Sequence, residues 1–127
     1  MNPKTDRLKE MFLLRAEFMT SLREVMPQAQ PEWPVDVTQK QSQQYCRDLA
    51  LKGVEEVFEA LQHFKNWKPH RQTEDVDFDR EKFLEEMVDS FNYFISLMVA
   101  LGFTAEDLHR VYVEKDRVIH SRINQKY

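Results

Sequence analysis

Apolar residues recur at steps of three and four along most of this 127-residue chain. That spacing places them on one face of an α-helix, which must then pack against another apolar face. The chain also has only two glycines, far fewer than the turns of an all-β protein or the phosphate loops of a Rossmann-type protein require. We therefore predict an all-α fold, and the length predicts a single domain over residues 1–127.

The first half of the chain predicts two helices joined by a proline-rich loop. Apolar periodicity extends over about 5–26, and three prolines in 27–37 exclude a helix there, with Trp33 at the centre of the loop. A second helix is predicted from a cap at Thr38 to about Trp67, just before the next proline.

The second half predicts two more helices. The third starts after a cap at Asp79 and ends near Leu101, where Gly102 is suited to the left-handed conformation that often follows a helix. The fourth starts after a cap at Thr104 and continues towards Tyr127. The result is a four-helix bundle-like domain. Its apolar faces exceed what one thin bundle hides, so we expect subunits to share a core in a homodimer or homotetramer.

Charge and composition exclude several classes of protein. The net charge of −4 disfavours a general nucleic-acid binder, which needs a basic surface. Cys46 is the single cysteine, so an intrachain disulfide and a CxxC zinc site are excluded, and a reducing compartment is favoured. The sequence lacks an apolar run long enough for a signal peptide or a membrane span. These observations predict a cytoplasmic protein with no membrane or nucleic-acid partner.

Two acidic motifs lie in the predicted second and third helices. Each motif has a pair of adjacent glutamates with another acid three residues further on: Glu55, Glu56 and Glu59 in the first, Glu85, Glu86 and Asp89 in the second. Residues three apart on a helix are separated by about 300° of rotation and so share a face.

Apolar residues surround these motifs, so the acids lie beside apolar surface and not on a purely charged helix face. Four carboxylates at positions 56, 59, 86 and 89, held between two packed helices, repel one another unless a cation lies among them. Oxygen-only ligands suit Mg²⁺, or alternatively Mn²⁺, and the lack of cysteine ligands argues against zinc. The alternative is that the acids are ordinary solvated surface charge, as paired glutamates on helices usually are.

A basic strip is predicted on the fourth helix. Lys115 and Arg122 are seven residues apart, which returns a helix to nearly the same face, and Tyr112 lies one turn before Lys115. Such a strip is suited to binding phosphates. The alternative is a solvent-facing helix with salt bridges, for which three neighbours are available: Glu114, Asp116 and Arg117.

The end of the predicted second helix offers a further set of groups. Lys65 and Lys68 flank Trp67, which predicts either a corner for a phosphate and a base or a tryptophan buried over the core. The four histidines have no mutual spacing typical of a ligand set.

Three segments of the chain resemble the all-α nucleotide pyrophosphatases, the superfamily of MazG-type enzymes and dimeric all-helical dUTPases. The segments are LALKGVEEVFEAL, FLEEMVDSFNYFISLMVALGFTAEDL and YVEKDRVIHSRINQKY, which together cover about two thirds of the chain. EExxE followed one helix later by ExxD is similar to the superfamily's metal motif. LGFTAEDL, followed by a tyrosine, a lysine and an arginine, resembles the dUTPase-like branch.

The resemblance implies a reaction and roles for named residues. It implies hydrolysis of a nucleoside triphosphate between its α and β phosphorus atoms, to give the monophosphate and pyrophosphate. Metal ligands would be the acids at 56, 59, 86 and 89, and catalytic residues that position or deprotonate water would be Glu55 and Glu85. Phosphates would be bound by Lys115, Arg122 and Tyr112, with Lys68 as a further candidate.

Two departures from the dUTPase-like pattern leave the base of the substrate nucleotide open. Where such relatives have KNxxN after the tyrosine, this chain has KDRVI from Lys115, and its first helix offers Arg15 and Met19 in place of glutamine and asparagine. The candidates for base contacts are Asn92, Trp67 and Trp33. The first expectation is therefore a dUTP pyrophosphatase. The alternatives are an enzyme for dCTP, dGTP or a damaged nucleotide, and a non-catalytic helical oligomeric adaptor.

Overall fold

The computed structural model describes residues 5–74 and 77–125 and contains four helices. Their bounds are α1 Arg7–Val25, α2 Lys40–Leu61, α3 Arg80–Ala100 and α4 Ala105–Ile123. Within the described residues there is no strand, which confirms the all-α prediction. No single helix in that part of the chain is long and apolar enough to span a membrane.

Contacts within the chain define two compact units. One contains the residues up to Val35 together with those from Met98 onward, and the other is Asp36–Leu97. The long helix α3 therefore contributes its last turn to the first unit and the rest to the second. The prediction of one domain over the whole chain stays a prediction.

The first unit is built on α1 and α4, which pack against each other. Asp6 caps α1, because its side chain accepts a hydrogen bond from the backbone N–H of Lys9 at 3.1 Å. Phe12 and Met19, seven residues apart on one face of α1, are buried. The predicted first helix is confirmed to within two residues at its start and one at its end.

Gly102 ends α3 as the sequence predicts. Its φ of +84° is a left-handed conformation that a side chain disfavours. The backbone N–H of Phe103 donates to Met98 O, and that of Gly102 to Val99 O, both at 2.9 Å, which is the Schellman arrangement of a helix end. A Cβ at Gly102 would also lie 3.1 Å from the Cβ of Pro34, so the site is crowded as well as left-handed.

The start of α4 is fixed by a reciprocal cap. The Thr104 side chain accepts from the backbone N–H of Asp107 at 3.1 Å, and the Asp107 carboxylate accepts from the backbone N–H of Thr104 at 2.9 Å. These hydrogen bonds hold the pKa of Asp107 below its usual value. The helix ends at Ile123, short of the predicted Tyr127, which lies outside the described residues.

In the second unit, α2 begins at Lys40, one residue later than a cap at Thr38 predicts. Gln39 is the capping residue and makes no side-chain cap, so the prediction of Thr38 is wrong. Instead, Asp36 Oδ1 accepts from the backbone N–H of Thr38 at 3.0 Å and from its hydroxyl at 2.7 Å. Thr38 is thus bonded to a carboxylate two residues upstream and lies one residue before the capping position.

The same helix ends six residues before the predicted Trp67. Beyond Leu61 the chain closes two tight turns, with the His63 N–H bonded to Ala60 O at 3.1 Å and the Phe64 N–H bonded to Leu61 O at 3.0 Å. Phe64 then lies against two aromatic rings from the next segment, with centroid distances of 5.3 Å to Phe78 and 5.1 Å to Phe83. Aromatic packing between segments distant in sequence accounts for the early end of the helix.

α3 begins where the sequence predicts. The Asp79 carboxylate accepts from the backbone N–H of Lys82 at 3.0 Å, so Asp79 caps this helix. Two pairs of residues set the register of α3 against α2: a Cβ at Gly53 would lie 2.6 Å from a ring carbon of Phe94, and His63 contacts Glu86 at 3.1 Å. Gly53 of α2 pairs with the later residue on α3, and His63, just after α2, pairs with the earlier one, so the two helices are antiparallel.

Candidate functional site

The four predicted metal ligands lie between the two anchor points of the α2 and α3 pair. Glu56 and Glu59 follow Gly53 within two turns of α2, and Glu86 and Asp89 precede Phe94 on α3. Two small residues beside these acids in sequence, Ala60 and Ser90, are fully buried. Glu56 and Glu86 are partly buried, whereas Glu59 and Asp89 are exposed. We call these four residues the carboxylate cluster.

The electrostatics of Glu56 show that the charges of the cluster act on one another. Desolvation is the largest cause of a raised pKa at Glu56, followed by the negative charge of Glu59 and a hydrogen bond with it. The charges of Asp89 and Glu86, which come from the other helix, raise the pKa further. The sequence prediction that the acids of α2 and α3 approach one another is therefore supported by an interaction across the helix pair.

The side chains as they stand do not form a closed coordination shell. Within residues 5–74 and 77–125, no three histidine, cysteine, aspartate or glutamate side chains are grouped closely enough to hold a metal ion. The donor chemistry nonetheless fits a hard divalent cation, since every member of the cluster offers carboxylate oxygen and a positive ion would relieve the repulsion at Glu56. The assignment of the four acids as ligands stays a prediction.

One histidine, which sequence reasoning did not single out, contacts the cluster directly. His63 Nε2 lies 3.1 Å from Glu86 Oε2, and the two side chains are only 23% and 22% exposed. The ring also meets Phe83 edge-on, with 6.5 Å between the centroids and 89° between the planes. No spacing in the sequence predicts this contact, because it depends on the end of α2 lying beside α3.

The two predicted catalytic glutamates lie next to the cluster in sequence, and each interacts with a lysine of its own helix. Glu85 is exposed, and its carboxylate lies 3.8 Å from Lys82 Nζ on the same helix. Glu55 is also exposed, and its charge acts on Lys52, one turn earlier on α2. Their roles in positioning or deprotonating water stay predictions.

A groove with an aromatic and basic lining follows the end of α2. Its volume is about 740 Å³, and its lining includes three aromatic and three cationic side chains: Phe58, Phe64, Trp67, Lys65, Lys68 and Arg71. Trp67 is 67% exposed, so it does not cover the core, and Lys68 Nζ lies 5.8 Å from the centre of its ring. The groove therefore brings together two residues predicted to contact substrate, Trp67 and Lys68.

Asn92 lies on the cluster's side of α3. It is three residues beyond Asp89, one helical turn along the same face, and is partly exposed. It also precedes Phe94, the residue that meets Gly53. The contact of Asn92 with a base stays a prediction.

The predicted basic strip belongs to the first unit and lies along α4. Tyr112 is 70% exposed, and Lys115 and Arg122 are also exposed. The acids on this helix pair with other residues: Glu114 lies 3.6 Å from Arg110, and Asp116 lies 3.0 Å from His120. These contacts on an exposed helix agree with the salt-bridged alternative, and the binding of phosphate by Lys115 and Arg122 stays a prediction.

Trp33 also lies in the first unit, in a small apolar pocket of about 270 Å³. Phe12 and Leu13 of α1 and Phe103 at the turn after α3 contribute to the lining. Trp33 is partly buried there, so the proline-rich loop does carry a tryptophan against a cavity, and its stacking on a base stays a prediction.

Comparisons with known proteins were made at three levels. The chain matches no protein-family model, and comparisons with curated proteins and with solved structures give no match.

Proposed function

We propose that this protein is a magnesium-dependent nucleoside triphosphate pyrophosphatase of the all-α superfamily that includes the MazG-type and dimeric dUTPase-like enzymes. It would hydrolyse a deoxynucleoside triphosphate, with dUTP as the first candidate, to the monophosphate and pyrophosphate, and would act in the cytoplasm.

The observation that carries the proposal is the antiparallel pairing of α2 and α3, in which Gly53 meets Phe94 and His63 contacts Glu86, because it brings the two acidic motifs to one stretch of the helix pair. Desolvation raises the pKa of Glu56, and the charges of Glu59, Asp89 and Glu86 raise it further. Two of those charges, on Asp89 and Glu86, come from a different helix, which is the arrangement that a shared cation site requires. Glu56, Glu59, Glu86 and Asp89 would hold the ion.

The chemistry of the site follows from its charges. A bound Mg²⁺ polarises the α-phosphate, lowers the pKa of water and neutralises charge on the leaving pyrophosphate. Glu55 and Glu85 are the proposed groups that orient the attacking water and accept its proton. Both side chains are exposed, so water can reach them.

The groove at the end of α2 supports a nucleotide as the substrate. Its volume of about 740 Å³ is within the usual range of roughly 300–1,000 Å³ for small-molecule sites. Trp67 offers an exposed ring for a base, and Lys68 a point charge for a phosphate. Tyr112, Lys115 and Arg122 are proposed as further phosphate contacts. Asn92 and Trp33 are proposed as base contacts.

Exposed apolar stripes support assembly with further copies of the chain. On α2 they include Leu51, Val54 and Phe58, spaced three and four residues apart, and all are more than 40% exposed. On α3, Leu84 and Phe91 repeat the pattern. Such stripes are typical of interfaces. We propose a homodimer or homotetramer that covers them, and sedimentation of Val54→Arg protein at a lower mass than wild type would be the expected result.

A panel of deoxynucleoside triphosphates, assayed with and without Mg²⁺, tests the proposed function. We expect one triphosphate to release pyrophosphate, only when Mg²⁺ is present, and Asp89→Asn to abolish the release. Glu81→Gln is the matched control, because Glu81 is an exposed acid on the first turn of the same helix and lies outside the cluster. Identification of the best substrate separates dUTP from dCTP, dGTP and damaged nucleotides.

The non-catalytic alternative gives a different result in the same assay. An oligomeric adaptor would release pyrophosphate from none of the triphosphates, and Asp89→Asn would behave as Glu81→Gln does. That outcome would overturn the enzymatic proposal and leave the exposed apolar stripes as the protein's functional surface.

A further inference from the structure

We propose that His63 is a positioning residue for Glu86, holding one oxygen of that carboxylate so that the other is directed at the divalent ion. The proposal rests on the proposed function, because it takes Glu86 as a metal ligand. It adds a residue to the site that neither the motifs nor their spacing indicate.

The contact between His63 and Glu86 has the geometry of a hydrogen bond that orients a metal-binding carboxylate. His63 Nε2 lies 3.1 Å from Glu86 Oε2, and an ionised carboxylate can only accept, so the ring donates. One carboxylate oxygen is thereby committed to the ring, and Oε1 remains for an ion. Hydrogen bonds of this kind fix the orientation of metal-binding side chains.

The ring itself is held in place on two sides. The His63 backbone N–H bonds to Ala60 O at 3.1 Å, which anchors the residue to the last turn of α2. The edge-on contact with Phe83 restrains the ring plane. His63, just after α2, donates to Glu86 on α3, so this hydrogen bond defines the direction of the Glu86 side chain. Glu86 lies one turn before Asp89 on α3.

A simple tether between the helices is the alternative role for this pair. The contact is not fully removed from solvent, since both side chains keep more than a fifth of their surface exposed. Partly exposed ion pairs contribute little to stability. The orientation of one carboxylate, in contrast, affects the affinity for an ion directly, so the two roles predict different measurements.

Three variants separate these roles. His63→Phe keeps a ring beside Phe83 and removes the donor, whereas His63→Gln removes the ring and keeps an amide N–H at a similar reach. His120→Phe is the matched control, because His120 makes a histidine–carboxylate contact of 3.0 Å with Asp116, on α4 and away from the cluster. Each variant is titrated with Mn²⁺ by calorimetry, and its melting temperature is measured in EDTA.

We expect His63→Phe to weaken Mn²⁺ binding by about 10-fold or more, with its metal-free melting temperature near that of wild type. His63→Gln should bind within about 3-fold of wild type, because the donor is restored. His120→Phe should bind as wild type does.

Several results would overturn the proposal. These are wild-type affinity in His63→Phe, a loss of affinity in His63→Gln equal to that in His63→Phe, or a loss accompanied by a fall in the metal-free melting temperature. In each of these cases wild type still binds Mn²⁺, so the proposed function survives and only the role of His63 is rejected. If wild-type protein itself shows no saturable binding, both are rejected together.

Discussion

Gly53→Ala tests the close approach of α2 and α3 on which the carboxylate cluster depends. Two effects oppose each other at this position. Alanine favours a helix by about 0.5–1 kcal/mol relative to glycine. Its Cβ, however, would lie 2.6, 2.8 and 3.0 Å from three ring carbons of Phe94, so the ring or the helix must move. Overpacking of this kind costs about 1–3 kcal/mol.

The second effect is the larger, and we expect a net loss of about 1–2 kcal/mol. An unfolding entropy of about 2.1 cal/mol/K per residue over 127 residues makes each kcal/mol worth about 4 °C. The melting temperature should therefore fall by about 4–8 °C. Glu56 lies one turn beyond Gly53 on α2, so affinity for Mg²⁺ should fall as well.

Phe94→Leu provides the control, measured by thermal unfolding of the single and double variants. Leucine lacks the ring carbons that the new methyl group would meet, so in that background Gly53→Ala should raise the melting temperature by about 2–4 °C. A change of sign between the two backgrounds is the expected result. Stabilisation by Gly53→Ala in the wild-type background, or an equal loss in both, would refute the close approach of the helices.

Three further predictions concern the electrostatics of the cluster, a helix cap and the groove. The folded protein holds a proton on Glu56 more tightly than the unfolded chain does, so the stability of metal-free wild type relative to Glu56→Gln should fall as the pH rises above about 4.3, the ordinary glutamate range. Carbon-detected NMR titration should show the pKa of Glu56 moving downward in Glu59→Gln, and an unchanged pKa would contradict the interaction. Thr104→Ala should cost about 1 kcal/mol in thermal unfolding, whereas Thr20→Ala, at an exposed position within α1, should cost nothing; equal effects would remove the role of the cap. Trp67→Ala should raise KM for the nucleotide with a smaller effect on kcat, and an unchanged KM would exclude the groove as the base site.

Local signals in the sequence predict most helix ends correctly. Asp79, Gly102 and Thr104 each act within three residues of the helix end that they define, through hydrogen bonds to nearby backbone. Their effect does not depend on the rest of the fold, so it can be read from the chain alone.

Both ends of α2 depend on interactions that local signals do not reveal. At its start, Thr38 donates its hydroxyl and N–H to Asp36, and the helix begins after Gln39, which forms no side-chain cap. At its end, Phe64 packs on Phe78 and Phe83, which lie 14 and 19 residues further along the chain. Proline at position 69 predicts a later end, because it marks only where a helix can no longer continue.

In the candidate site, too, features set within one helix can be predicted from the sequence, whereas contacts between helices cannot. Spacing alone places Glu56 with Glu59, and Glu86 with Asp89, because each pair shares one helix. The contact between His63 and Glu86 requires the antiparallel register of α2 and α3, which the Gly53 and Phe94 approach sets. The sequence contains these residues and gives no pattern that relates them.

Thermal unfolding of the metal-free protein with increasing Mg²⁺ tests the cluster most directly. At about 100 times the dissociation constant a bound ion stabilises by about 2.7 kcal/mol, equivalent to about 10 °C here. We predict that rise for wild type and for Glu81→Gln, and its loss in Asp89→Asn. A wild-type melting temperature that Mg²⁺ leaves unchanged, or an equal rise in Asp89→Asn, would contradict a divalent-ion site formed by the four carboxylates.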